Sequence, residues 1–143
     1  MKHFEDTRLS SSYWALRVTF IALPILAGLD KFANLLTYWP HYLSPSFARV
    51  IPLPPGAFMR LVGVIEVVAG LLVLSKLTRL GSYVVMAWLV CIAINLTSMR
   101  MFDIAVRDLA LAAGAFALAR LEEVRAGATQ TAARLHGTAA ATA

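Results

Sequence analysis

Seven charged side chains stand in or at the ends of long apolar segments of this chain: Asp30, Lys31, Arg60, Glu66, Asp103, Arg107 and Asp108. A charge near a bilayer centre costs about 3 kcal/mol on insertion scales, so such residues face a protein interior and mark functional positions. Carboxylates held there can bind or relay a proton, and a cation beside them can hold a polar headgroup or lock two helices together. Lys31, Arg60 and Arg107 oppose Asp30, Glu66, Asp103 and Asp108, which is close to the neutrality a desolvated network needs. Asn95 adds an uncharged donor and acceptor to the same set.

The segments that carry these residues are long enough to cross a membrane. The chain has 143 residues, 59% of them hydrophobic and only 15% charged, with mean hydropathy +0.71. That composition fits a small polytopic membrane protein of one domain. Spans are expected at about residues 13–33, 57–74, 80–97 and 103–121, the first kinked by Pro24. The run Ile51-Pro52-Leu53-Pro54-Pro55-Gly56 breaks the chain before the second span. Short links then force antiparallel neighbours, so the expected fold is all-α, an integral membrane four-helix antiparallel bundle within residues 13–121.

Positive charge sets an orientation. Lys2, Arg8, Arg17, Lys76, Arg79, Arg120, Arg125 and Arg134 fall on one side, against Lys31, Arg49, Arg60, Arg100 and Arg107 on the other. The positive-inside rule then puts both termini in the cytoplasm, with residues 1–12 and a flexible tail 122–143 there and a loop 34–56 outside. The first segment lacks a small-residue cleavage site and is expected to stay as an anchor. Arg17 is read as snorkelling to the headgroups. The loop carries Tyr38, Trp39, Tyr42 and Phe47, as either an interfacial anchor or a lid over the helices.

This topology gathers the charges at the outer half of the bundle. Asp30 and Lys31 end the first span, Arg60 opens the second, and Glu66 lies about 9 Å deeper at 1.5 Å per residue. Gly63, Glu66 and Gly70 share one stripe, which lets a neighbouring helix approach the Glu66 face. Trp88 and Asn95 share a stripe of the third span, and the i, i+4 spacing of Asp103 and Arg107 permits an ion pair. Glu66, the deepest, is the best single candidate for holding a headgroup or moving a proton. The same pairs can equally serve only to fix helix register.

Several chemistries are disfavoured. Cys91 is the single cysteine, so there is no intrachain disulfide, C-x-x-C pair or thiolate cluster. His3, His41 and His136 all lie outside the spans, against a bis-histidine haem, and no metal site is expected. No basic run interleaved with aromatics exists, so nucleic acid is not an expected partner despite the net charge of +5.

The elements Gly28-Leu29-Asp30-Lys31-Phe32 with Trp39, Gly63-Val64-Ile65-Glu66 with Gly70, Asn95-Leu96, and Asp103-Ile104-Ala105-Val106-Arg107-Asp108-Leu109 form an ordered set. It resembles the DoxX-type family of small membrane proteins over residues 14–121. The resemblance implies a bacterial inner-membrane bundle of four helices, a small subunit of quinone-linked respiratory, sulfur-oxidising or oxidative-stress complexes. It points to Asp30, Lys31, Glu66, Asp103, Arg107 and Asp108, positions that topology selects independently. No covalently bound cofactor is expected; a quinone is the cofactor the resemblance brings. The leading expectation is an accessory subunit whose polar pocket engages a quinone, a lipid or a partner helix. Its surroundings are the lipid bilayer, other subunits of a redox complex, or a second copy of the chain. The alternatives are a small proton-coupled transporter, which would need a homodimer, and a membrane enzyme acting on a lipid or sulfur compound.

Overall fold

Residues 7–141 are described by a computed structural model. The expected N-terminal segment 1–12 lies outside the described residues as far as residue 6. Helix α1 spans Thr7–Ala33, α2 Pro45–Ala48, α3 Pro55–Leu74, α4 Thr78–Ser98 and α5 Phe102–Ala141, with a 3-10 turn at Trp39–Tyr42. No strand occurs among the described residues.

The ends of the helices follow from local chemistry. Pro24 sits inside an unbroken α1, although its missing N–H removes one helical bond. Asn34 takes a left-handed φ of 51° just past α1, a conformation asparagine tolerates better than most residues. Pro55 occupies the first turn of α3, where its missing N–H costs nothing. At the α3–α4 link, Thr78 Oγ1 donates to the carbonyls of Val73 and Ser75, and Ser75 Oγ donates to that of Leu72. These side chains satisfy carbonyls that a helix end leaves free. The turn is tight enough that a Cβ on Gly81 would stand 2.5 Å from the Val73 nitrogen. At the next link Arg100 is left-handed (φ 61°), and Met101 N–H returns to the Leu96 carbonyl.

Packing joins α1 to α3 and α4 to α5 most extensively, with α3 against α4 linking the two pairs. Gly28 of α1 meets Gly63 of α3, while Gly70 meets Ile21 and Ile25. Rising number on one helix pairs with falling number on the other, so α1 and α3 run antiparallel. A core of Tyr13, Phe20, Ala69, Val73, Val85, Ala115 and Leu118 fills one part of the interior. A second cluster, Ala93, Leu96 and Ala105, lies toward the α4–α5 link, with Tyr42 and Met101 against it. Val18, Leu26 and Phe32 of α1 and Val64 and Val68 of α3 are exposed, an apolar surface that suits lipid.

Three helical segments, Leu9–Ala33, Pro55–Leu74 and Thr78–Ser98, are long and apolar enough to cross a membrane. The expected fourth span at residues 103–121 is not among them. Asp103, Arg107 and Asp108 crowd its start and Arg120 its end, leaving residues 109–119 free of charge. Eleven residues rise about 16 Å, roughly half of a hydrocarbon core. Nor does α5 stop near residue 121. It continues to Ala141, through residues rich in alanine, the strongest helix former.

Candidate functional site

The site grows from the contact between two glycines. A Cβ on Gly28 would lie 2.6 Å from the Gly63 carbonyl oxygen, and one on Gly63 would lie 2.5 Å from that of Gly28. Only glycine at both positions permits this approach. Lys31 and Glu66 each follow their glycine by three residues, one on either side of the crossing. In a helix the Cα–Cβ bond leans toward the N-terminus. Because the helices are antiparallel, the two side chains therefore lean toward each other across about 9 Å of axial offset.

They meet. Lys31 Nζ stands 2.6 Å from Glu66 Oε2, and the two side chains are only 5% and 7% exposed. Trp39, on the strap between α1 and α3, covers the lysine with its ring centroid 3.7 Å from Nζ. A cation over an indole face gains up to about 2 kcal/mol when desolvated. From α4, the Trp88 indole N–H reaches Glu66 Oε1 at 3.5 Å, the outer limit of a hydrogen bond.

Asp30 is buried beside Lys31 but works on the strap. Its carboxylate accepts the Trp39 indole N–H at 2.7 Å and the backbone N–H groups of Leu35 and Leu36. Asp30 thus fixes Trp39 over Lys31. Asn95 does the same work further along. Its amide donates to the Tyr42 carbonyl at 2.6 Å and accepts from the Ser44 N–H at 3.0 Å. The strap is pinned at its start by Asp30 of α1 and near its middle by Asn95 of α4.

Asp108 is buried on α5, near enough to Glu66 for their charges to act on each other. It pairs with its neighbour Arg107, whose Nη2 lies 2.9 Å away. The Arg107 side chain is 65% exposed, so the pair reaches from interior to surface. Asp103 and Arg60 are exposed, and neither forms an ion pair among the described residues. The Asp103–Arg107 spacing is therefore not used as a pair.

Of the eight candidates, Asp30, Lys31, Glu66 and Asp108 are buried and Asn95 holds the strap, while Arg60, Asp103 and Arg107 lie outside the interior. The interior set is one ammonium among three carboxyl groups. Trp39 and Trp88 belong to the site and carry no charge to announce them. Neither described cleft opens at this network, since one is lined around Arg17 and Lys76 and the other around Ser10 and Arg125. Among the described residues no group of three or more His, Cys, Asp or Glu side chains is placed to hold a metal.

The far end of the helices holds polar groups the charge pattern does not single out. Arg17 donates to the Leu74 and Ser75 carbonyls at 3.0 Å and to the Tyr13 hydroxyl at 2.9 Å. It caps the C-terminus of α3, where a cation is favoured. Glu123 bridges Arg79 and Arg120 and accepts from the Tyr83 hydroxyl, tying α5 to α4.

No curated protein and no solved structure matches the chain. A family model described as DoxX matches residues 13–98. This stretch holds α1, apart from its first six residues, through α4, with Asp30, Lys31, Glu66 and Asn95, and stops before Asp103, Arg107 and Asp108. A match over more than half of the chain, across the helices that form the Lys31–Glu66 pair, makes this protein a member of the DoxX family of membrane proteins.

Proposed function

We propose that this chain is an accessory subunit of a quinone- or redox-linked complex in a bacterial inner membrane. In this reading α1, α3, α4 and α5 form a four-span antiparallel bundle with both termini cytoplasmic. The exposed Asp103 at the start of α5 and the helix beyond residue 121 then lie toward the two membrane surfaces, with Asp108 inside the bundle. The Lys31–Glu66 network lies in the outer half, and the strap from residue 34 lies outside.

The observation that carries the proposal is the buried Lys31–Glu66 pair flanked by two indoles. A quinone headgroup is planar, with two carbonyl acceptors, and supplies electron-carrying chemistry when bound. Lys31 fits as the donor to a carbonyl, Glu66 as the group that holds or gives a proton, and Trp39 and Trp88 as flat apolar walls. Since Trp39 now covers Lys31, entry would require the strap to lift. The absence of a recognisable catalytic triad or thiol pair in the sequence favours a subunit over an independent enzyme.

The test is the quinone content of protein purified gently from its own membranes. Wild type should carry quinone above the level of the bulk lipid extract, and Glu66→Gln should lose it while remaining folded. Equal content in both would reject the proposal.

A proton-coupled carrier is the second reading, favoured by the nearness of the buried Asp108 to Glu66. It requires proton flux into proteoliposomes above empty vesicles, abolished by Asp108→Asn.

A further inference from the structure

Opposite the Lys31–Glu66 end, where α3 hands over to α4, an open cleft of about 420 Å³ is lined by Arg17, Leu74, Ser75, Lys76, Thr78 and Glu122. Most of its polar groups are engaged. The Arg17 guanidinium holds the Leu74 and Ser75 carbonyls, and the Thr78 and Ser75 hydroxyls cap the end of α3. Two groups are not. Lys76 forms no ion pair among the described residues. Glu122 faces the Tyr13 phenol, yet its Oε2 is buried without a hydrogen-bond partner.

A carboxylate oxygen left unmatched inside a protein is costly and calls for a donor. Glu122 lines the cleft, and the terminal torsion of glutamate is broad, so turning its carboxylate is the motion that would offer Oε2 to a ligand. Lys76 and Arg17 line the same cleft and bring positive charge to it. An anion on one side and a hydrogen-bond-donating cation on the other would satisfy both. Trp14, Leu74 and Leu77, all about half exposed, provide an apolar flank at this level.

We propose that this cleft binds the headgroup of a phospholipid that carries a phosphate beside a primary ammonium. Lys76 and Arg17 face the phosphate, Glu122 takes the ammonium, and the acyl chains lie along the apolar flank. The same chemistry exists in soluble phosphoethanolamine; the apolar flank favours the lipid. Glu122 also sets specificity, because a quaternary choline ammonium has no N–H to donate to it. The site is independent of the quinone reading and stands or falls without it.

The test is native mass spectrometry of the full chain with phosphatidylethanolamine, phosphatidylcholine and phosphatidylglycerol of matched acyl chains. Phosphatidylethanolamine should be retained about tenfold over the other two, as a charge-assisted hydrogen bond implies. Glu122→Gln should erase the preference over phosphatidylcholine, and Lys76→Gln, in an exposed link, should weaken retention of all three. Equal retention of the three lipids, or an unchanged preference in folded Glu122→Gln, overturns the proposal. Displacement of the lipid by equimolar phosphoethanolamine would overturn the lipid as the ligand.

Discussion

Lys31 of α1 and Glu66 of α3 form a 2.6 Å ion pair shut away from solvent, set by the glycine contact one turn from each residue. Removing one partner strands the other in a low-dielectric interior; removing both does not. Lys31→Met or Glu66→Leu alone should therefore destabilise the protein by about 3–5 kcal/mol. The double variant should recover most of that loss. Denaturation in mild detergent checks this, and additive losses would show that the pair is not coupled.

Gly63→Ala should act on the pair without touching either charge. Its Cβ would press on the Gly28 carbonyl, so the helices must part and the ion pair must stretch. Overpacking of this kind costs about 1–3 kcal/mol. Gly56→Ala is the control, because nothing lies within 4 Å of its Cβ. Thermal midpoints that fall equally for both variants would show that the glycine contact does not set the pair.

Trp39 makes two separable contacts, stacking on Lys31 and hydrogen-bonding Asp30. Trp39→Phe retains an aromatic face and loses the hydrogen bond, costing about 1.5–3 kcal/mol for a bond to a charged group. Trp39→Ala loses both and should unfold at lower denaturant still. Equal midpoints for the two variants would mean that the stacking contributes nothing.

Asn95→Ala should release the strap without unfolding the helices. The Ser44 N–H loses its acceptor and the Tyr42 carbonyl its donor. Hydrogen exchange at Ser44 should quicken about tenfold or more, as loss of one protecting bond implies, while amides in α3 remain protected. Unchanged exchange at Ser44 would show that another contact holds the strap.

Much of this arrangement is legible in the sequence. Hydropathy and the Pro54-Pro55 break locate α3, and the Gly63, Glu66, Gly70 stripe identifies the face that receives α1. Angular arithmetic explains the residues that fall outside. At about 100° per residue, Arg60 lies some 120° round the helix from Glu66, and Asp103 some 140° from Asp108. Nearness along the membrane normal does not make them neighbours. Arg107 can choose between Asp103 and Asp108, and spacing alone gives no preference. The roles of Trp39 and Trp88 depend on the strap and α4 converging on α1 and α3, a long-range outcome without a local pattern. The Tyr13, Arg17 and Glu122 cluster joins residues more than a hundred positions apart, and nothing in either segment signals the other.

Native mass spectrometry of the chain released gently from its own membranes tests the proposal that the Lys31–Glu66 end engages a quinone within a larger membrane complex. A stoichiometric partner subunit together with a retained quinone, the quinone lost in Glu66→Gln, is the expected result. Bare protein, alone or as a homodimer and recovered reproducibly without either, would contradict that proposal and turn attention to proton flux.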